Sequence, residues 1–278
     1  MLDDDATEGL AATRFADVRW VAETGSTNAD ALALARAGER EGIVLVADHQ
    51  TAGRGRQGRT WTAPPGASLL TTILLRPPAA VAGLVTMAVA LAASDAVADV
   101  AGFEPRLKWP NDLVWPGDGS APDRKLAGVL AEADWPARSQ ASAGWSEPPP
   151  DEKVVVVVGM GLNVTWPTQL PDELADIAIA CNHVAGHDVD RAAVLVSLLQ
   201  HLETGYAALL ADHTGTQLLE RWRARSATLG RRVRIDLGPD DLVGTAIDVT
   251  AEGHLIVQTQ EGDRREVAVG DVIHLRPV

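Results

Sequence analysis

Residues 49–61 read HQTAGRGRQGRTW, and the fold turns on how the glycines in this run are understood. Gly53, Gly55 and Gly58 fall in the spacing G-x-G-x-x-G, which a dinucleotide-binding turn uses. Such a turn needs a helix to begin inside the glycine run, so that the helix N-terminus meets a pyrophosphate. Here TAPPGAS (62–68) follows, and Pro64, Pro65 and Gly66 forbid a continuing helix. Positions that should be small carry Arg54, Arg56 and Arg59. A kinase loop would place valine two residues after the third glycine, where Thr60 stands, and no HRD, DFG or Walker run occurs in the chain. What remains is a glycine-loosened loop with three guanidiniums, suited to bidentate contact with phosphate or carboxylate. The plain alternative is a solvated turn.

Working outward, GIVLVADHQ (42–50) reads as a buried strand entering the loop and ASLLTTILLRP (67–77) as the strand leaving it. Upstream, RWVAETG (19–25) alternates like a strand. STNADALALARAGER (26–40) reads as a helix with Ser26 or Thr27 as its N-cap. Downstream come an apolar helix over 81–100 and a short strand in RLKWPND (106–112), stopped at Pro110. KLAGVLAEA (125–133) and KVVVVVGMGLNV (153–164) read as paired strands, and 134–152 as an extended hairpin tip. PDELADIAIA (171–180) reads as helical from Pro171, DRAAVLVSLLQHLETGYAALL (190–210) as an amphipathic helix capped by Asp190, and GTQLLERWRARS (215–226) as another. From Gly230 the pattern becomes five short alternating strands separated by turns, which suggests a small appended barrel.

The 278 residues, 46% of them hydrophobic, suffice for a sizeable core. A net charge of −14 argues against general nucleic-acid binding, which needs a basic face, while the arginine loop keeps an anionic small substrate open. A single cysteine, Cys181, rules out an internal disulfide and fits a reducing compartment. The start MLDDDATEGL lacks the regions of a secretory signal, and apolar runs such as VVVVVGMGL (154–162) are too short to span a bilayer. A cytoplasmic protein without membrane contact is expected. Of 24 basic residues only Lys108, Lys125 and Lys153 are lysine, so a retained lysine points to a need for a compact ammonium. Lys153 reads as a solvated strand start. Cys181, His183 and His187 have zinc-like spacing, but Gly186 weakens the helix and the HExxH glutamate is missing, so no metal site is assigned.

Five runs carry a more specific signal in their order: GSTNAD (25–30), HQTAGRGRQGRTW (49–61), KWPNDL (108–113), KLAGVL (125–130) and GMGLNV (159–164). Together they resemble the biotin protein ligases. The resemblance implies an α+β fold. A mixed β-sheet flanked by helices, of the kind shared with lipoate ligases, is expected over 1–228, and a small Src-homology-3-like β-barrel over 229–278. It implies an enzyme that makes biotinyl-5′-AMP from biotin and ATP, then passes biotin to a lysine of a biotin carboxyl carrier domain of an acyl-CoA carboxylase. Some members also carry an N-terminal winged helix. The segment before residue 19 is too short for one, so the resemblance implies the monofunctional type without DNA binding. The alternative is a lipoate or octanoate ligase of the same fold.

The resemblance also implies roles for residues. Lys108, Arg54 and Arg56 are the expected catalytic cations, with Lys108 at the biotin carboxylate and the reacting phosphoryl group. Ser26, Thr27, Asn28, Gln50, Arg54, Gly55, Arg56, Lys108 and Gly128 are expected around biotin. A hydroxyl and an amide suit the carbonyl and N–H groups of its ureido ring. Arg56, Arg59, Trp61, Lys108, Asn111 and Asn163 are expected around ATP and the adenylate. Mg²⁺ is expected from ATP chemistry without assigned ligands; Asn111 and Asp112 either hold structure or help with it. Lys125 is left with a structural role at a strand start. The Gly/Arg loop is expected to close over the adenylate and reopen for the carrier.

Overall fold

In the computed structural model, which describes residues 4–117, 122–134, 148–237, 241–268 and 270–274, strand β1 (Val18–Thr24) runs parallel to β2 (Val44–Gln50). The chain then turns through the Gly/Arg loop, and β3 (Ser68–Leu75) returns antiparallel to β2. Every one of its eight residues is buried, as the uninterrupted apolar and threonine run requires of a central strand. The strands β4 (Arg106–Lys108), β5 (Asp112–Trp115), β6 (Arg124–Asp134) and β7 (Val155–Asn163) complete a seven-stranded mixed sheet ordered β1-β2-β3-β7-β6-β5-β4. The expected pairing of 125–133 with 153–164 is present, with Ala127 opposite Leu162 and Gly128 opposite Gly161.

Helices cover both faces. Following α1 (Asp4–Leu10), α2 (Thr27–Arg36) packs on β3 and β7 from one side. On the other side lie α3 (Ala79–Ala82), α4 (Val85–Ala101), α6 (Cys181–Ala185), α7 (Arg191–Asp212) and α8 (Thr216–Arg225), while the short α5 (Asp172–Ala175) packs through Leu174 on a small separate cluster of Ala63, Ala67, Trp166 and Ala180. Helix α4 is so apolar that most of it is buried, and it ends at Gly102 in the left-handed region (φ 76°), which spares a Cβ clash. Asp190 caps α7 as expected, accepting from Ala192 N at 2.8 Å. Asp95 of α4 takes Arg221 at 2.6 Å and Arg225 at 2.5 Å, tying α8 down.

The last strands, β8 (Arg232–Asp236), β9 (Asp241–Val249), β10 (Leu255–Gln258), β11 (Arg264–Val267) and β12 (Asp271–His274), form a separate antiparallel sheet ordered β11-β10-β9-β8-β12. These are the five strands expected of the small C-terminal unit. The unit is not loosely tethered. Arg223 of α8 donates to Asp248 Oδ1 at 2.6 Å and to Val249 O at 2.8 Å, and Trp109 Nε1 donates to Gly253 O at 3.0 Å.

The short strand expected in 106–112 is present as β4 and stops before Pro110; the chain turns at 109–111 and returns as β5, which pairs with both β4 and β6. Three sequence expectations need correction. The helix expected over 171–180 stops at Ala175. Ile177–Ile179 instead runs beside Lys125, whose N–H donates to Ile177 O (2.7 Å) and whose carbonyl accepts from Ile179 N (2.9 Å). Ser26 occupies the N-cap position of α2 without a side-chain capping bond. Finally, α7 is long and apolar enough to cross a membrane, but Val194, Leu195, Leu198, Leu199, Leu202 and Leu209 are buried and the helix packs on α4, as a core helix does. Of the expected hairpin tip, 135–147 lie outside the described residues.

Candidate active site

A cleft of about 280 Å³ opens between the N-terminus of α2, the Gly/Arg loop and strands β6 and β7. Its two ends differ chemically. One end is neutral and polar. Ser26, Thr27 and Asn28 are all nearly buried there. Gln50 Oε1 accepts from Thr27 N at 2.7 Å and from Thr27 Oγ1 at 3.0 Å, so glutamine rather than serine satisfies the helix start. Thr72 Oγ1 lies 2.7 Å from both Thr27 Oγ1 and Asn28 Oδ1, two acceptors for its one hydrogen. Asn28 Nδ2 donates to Glu132 Oε2 at 2.8 Å and to Leu130 O at 3.3 Å. With these partners the orientation of the Asn28 amide is fixed.

The other end is cationic. The Gly/Arg loop folds back on itself: Gly55 N donates to Arg59 O (2.7 Å), Trp61 N donates to Gly53 O (3.0 Å), and a single 3-10 turn spans Arg56–Gly58. The glycines therefore have a geometric purpose beyond loosening the chain. A Cβ on Gly53 would sit 2.5 Å from Trp61 O, and Gly58 adopts φ 71°. Arg54, Arg56 and Arg59 line the cleft, and Arg56 reaches toward Asn111 Oδ1 at 3.5 Å. Asn111 Nδ2 is held by Val129 O at 2.7 Å.

Lys125 is the fourth cation. Its Nζ lies 2.7 Å from Asp112 Oδ1 and 5.4 Å from the centroid of the Trp61 ring, at the wall of the cleft. Two glycines facing each other across β6 and β7 make room for this arrangement. A Cβ on Gly128 would come within 3.0 Å of Lys125 Nζ and 3.3 Å of Trp61, and one on Gly161 within 2.6 Å of Trp61 Nε1. One pleat further along β7, a Cβ on Gly159 would run into the Asn28 amide. The GMG of 159–161 is thus a floor for Asn28 and the indole. Trp61 Nε1 is buried and has no acceptor among the described residues.

Placement separates the expected residues into two sets. Ser26, Thr27, Asn28, Gln50, Arg54, Gly55, Arg56, Arg59, Trp61, Asn111 and Gly128 come together in the cleft. Lys108 and Asn163 do not line it. Lys108 ends β4, the edge strand two places from β6, and its charge is felt instead at His274 of the small sheet. Asn163 is buried at the end of β7, where Nδ2 donates to Ile179 O (3.1 Å) and Oδ1 accepts from Ser68 Oγ (3.3 Å), a structural arrangement. Sequence reasoning left Lys125 aside and missed Thr72, Glu132, Gly159 and Gly161. The signal for Lys125 was its rarity as a lysine, shared with Lys108. The His/Cys run also separates: Cys181 is buried, which pushes its thiol up to about 12, and His183 Nε2 meets Pro167 O at 2.9 Å.

Residues 23–141 match the Biotin/lipoate A/B protein ligase family, and residues 228–275 match the Biotin protein ligase C terminal domain. A biotin--[acetyl-CoA-carboxylase] ligase of Mycobacterium tuberculosis is 38% identical over 264 residues, covering 92% of this chain and 88% of that protein. The bifunctional ligase/repressor BirA of Bacillus subtilis is 32% identical over 243 residues, 86% of this chain and 69% of its own length. Among solved structures, the biotin protein ligase from Aquifex aeolicus in complex with biotin and ATP has a TM-score of 0.72 at 26% identity, covering 94% of this chain and 99% of that one.

Proposed function

We propose a function from one premise: this chain belongs to the biotin protein ligase family. It is an ATP-dependent biotin protein ligase. In the first step the biotin carboxylate attacks the α-phosphate of ATP, forming biotinyl-5′-AMP and releasing pyrophosphate. In the second, a lysine amine of the carrier attacks the mixed anhydride and releases AMP.

The observation that carries this reading is the polarity of the cleft. A neutral, hydrogen-bonding end faces a cluster of four cations, Arg54, Arg56, Arg59 and Lys125. Biotin has the same polarity, with a ureido head and a carboxylate tail. Octanoate has no polar head and lipoate offers only a disulfide ring. Neither offers the carbonyl and N–H groups with which a ureido head can match the Thr27, Asn28 and Gln50 end of the cleft.

The first step brings two anions together, so positive charge aimed at the reacting oxygens lowers its barrier. Lys125, rather than Lys108, takes the place at the carboxylate and α-phosphate, and Arg54 and Arg56 neutralise the phosphate oxygens. The Trp61 indole N–H is a donor left for the ligand, and Arg59 lies over the nucleotide side. Mg²⁺ accompanies ATP. Its ligands are not assigned, because Asp112 Oδ1 beside the cationic end is already held by Lys125 Nζ at 2.7 Å and no cluster of three His, Cys, Asp or Glu side chains occurs among the described residues. The ion would spread phosphate charge; the arginines, Lys125 and the loop supply the positioning and exclude water.

The acceptor in this reading is the biotin carboxyl carrier domain of an acyl-CoA carboxylase, in the cytoplasm, with neither nucleic acid nor membrane involved. The ligase unit is assigned to 1–228 and the small C-terminal domain to 229–278. The test is ATP–pyrophosphate exchange with biotin, lipoate and octanoate in parallel, followed by label transfer to a carrier domain. Exchange with biotin is expected; exchange only with lipoate or octanoate refutes the reading.

A further inference from the structure

The small C-terminal sheet meets the rest of the chain through a buried relay that no step above uses. His274, at the end of β12, has 11% of its side chain exposed, and Asp123, just before β6, has 8%. His274 Nδ1 lies 2.9 Å from Asp123 Oδ2, and His274 Nε2 lies 3.2 Å from Thr228 Oγ1. Thr228 is fully buried, and its Oγ1 accepts the backbone N–H of Trp109 at 3.0 Å. Arg231 Nη1 donates to the same Asp123 oxygen at 2.8 Å.

The hydrogens along this relay follow from its chemistry. Burial alone would raise the Asp123 pKa. The hydrogen bonds from His274 and Gly117 N–H and the charge of Arg231 outweigh it and bring the pKa down to about 2. Asp123 is therefore a carboxylate and can only accept; it lies closer to Nδ1 (2.9 Å) than Arg231 Nη1 does (3.2 Å), and Arg231 already donates to the same Asp123 oxygen, so the neutral imidazole carries its hydrogen on Nδ1 and presents a lone pair at Nε2. Thr228 gives its one hydrogen to that lone pair, which leaves its oxygen free to accept from Trp109. Each group in the relay thus fixes the next.

Trp109 opens the turn between β4 and β5 and is held twice, at its backbone N–H by Thr228, which immediately precedes the C-terminal unit and is bonded to its His274, and at its indole by Gly253 O of that unit. Two residues further on, the same turn presents Asn111 toward Arg56, and then Asp112 toward Lys125. We propose that His274 and Thr228 are positioning residues for the ligase reaction, with the His274–Thr228–Trp109 relay letting the C-terminal sheet set the place of Asn111, Asp112 and, through them, Arg56 and Lys125. The inference rests on the ligase reading for its activity test only; the relay itself is a matter of geometry.

The relay is also sensitive to protonation. The groups facing His274 are Asp123, Arg231, Thr228 and Lys108. Burial holds the His274 pKa below its ordinary value, Asp123 opposes that shift, and Lys108 and Arg231 add to it. Protonation puts a hydrogen on Nε2. Thr228 then loses its acceptor, and the turn loses its fixed donor–acceptor order.

The experiment compares Thr228→Val, which keeps the volume and loses the hydroxyl, with Thr228→Ser, which keeps it, and with His274→Gln. A glutamine amide can donate toward Asp123 and accept from Thr228 without titrating. Two readouts are used on the full chain, with folding checked by circular dichroism. The first is kcat for biotin-dependent ATP–pyrophosphate exchange against pH. Thr228→Val is expected to lower kcat about tenfold and Thr228→Ser less than twofold, because displaced supporting groups cost about that much. The wild type is expected to lose rate on an acid limb that His274→Gln lacks. The second readout is hydrogen exchange at the Trp109 amide, expected to speed up at least tenfold in Thr228→Val and not in Thr228→Ser. Equal kcat in all variants, equal losses in the valine and serine variants, or the same acid limb in wild type and His274→Gln overturns the positioning role. Unchanged Trp109 protection in Thr228→Val overturns the relay. If Thr228→Val does not fold, the pH profiles of wild type and His274→Gln decide alone. A wild type that exchanges with no acid refutes the ligase reading but leaves the amide-exchange test standing.

Discussion

Adding one methyl group at Gly161 is the sharpest probe of how the cleft is built. Gly161 pairs with Gly128 on β6 and with Leu70 on β3, at the middle of the sheet, so its backbone has little room to yield. A Cβ there would run into Trp61 Cε2 and lie 2.6 Å from Nε1 and 2.8 Å from Cζ2. Ordinary contact begins near 3.4 Å, so the indole has to retreat by about 1 Å. It cannot retreat alone. Trp61 N is bonded to Gly53 O, and the ring carries Lys125 at 5.4 Å, so the base of the arginine loop and the ammonium move with it. A misplacement of about 1 Å in a site built on orientation costs on the order of 100-fold in rate, while overpacking costs about 1–3 kcal/mol of stability. Gly161→Ala is therefore expected to fold, with a lower urea midpoint, and to lose about 10–100-fold in kcat/KM for biotin-dependent pyrophosphate exchange. The double variant Gly161→Ala/Trp61→Ala tests the cause. With the indole gone the methyl group has space, so adding Gly161→Ala to Trp61→Ala should change the rate by less than about threefold, the non-additivity expected of touching residues. A Gly161→Ala single variant with wild-type kcat/KM, or full additivity in the double variant, refutes the reasoning.

Three further outcomes are expected. Lys125→Ala should lower adenylate formation by about 100–1000-fold, the usual cost of losing a charge-stabilising donor, and Lys108→Ala by much less; single-turnover formation of biotinyl-AMP checks the order. Asp123 binds its proton more weakly in the folded chain than in the unfolded one, so its stabilisation is complete above the unfolded value of 3.8 and is lost as pH falls toward 2. That contribution is about 1–2 kcal/mol once solvent screening is allowed for, and about half of it is lost by pH 3, so the gap between the urea midpoints of wild type and Asp123→Asn should be narrower at pH 3 than at pH 6. Cys181 is buried and its thiol is pushed up to about 12, so iodoacetamide should leave the native protein unmodified at pH 8 and label it only after denaturation.

Much of the architecture was legible because it is written in local pattern. The alternation of 19–25, the apolar run of 67–77 and the prolines after the Gly/Arg loop each depend on a few neighbouring residues, and the strands and the missing helix appear where those patterns put them. The prolines at 64 and 65 were enough to set aside a dinucleotide fold without any tertiary information. The five β segments after Gly230 were equally plain.

The chemistry of the site was written only in part. The arginines of the loop stand out in their own run, whereas Ser26, Thr27 and Asn28 read locally as a helix start and were named for the site only by the resemblance to the biotin protein ligases. Two lysines in strand-like runs, Lys108 and Lys125, look alike to any local rule. Strand order separates them: β6 lies beside β7 at the floor of the cleft, and β4 is the sheet edge turned toward the C-terminal unit. The same holds for the glycines of β6 and β7, which matter only because Trp61, about 100 residues from Gly161, lies across them. Local pattern fixes which elements form and which face is apolar; which side chains meet is set by long-range pairing, and here that pairing placed the ammonium.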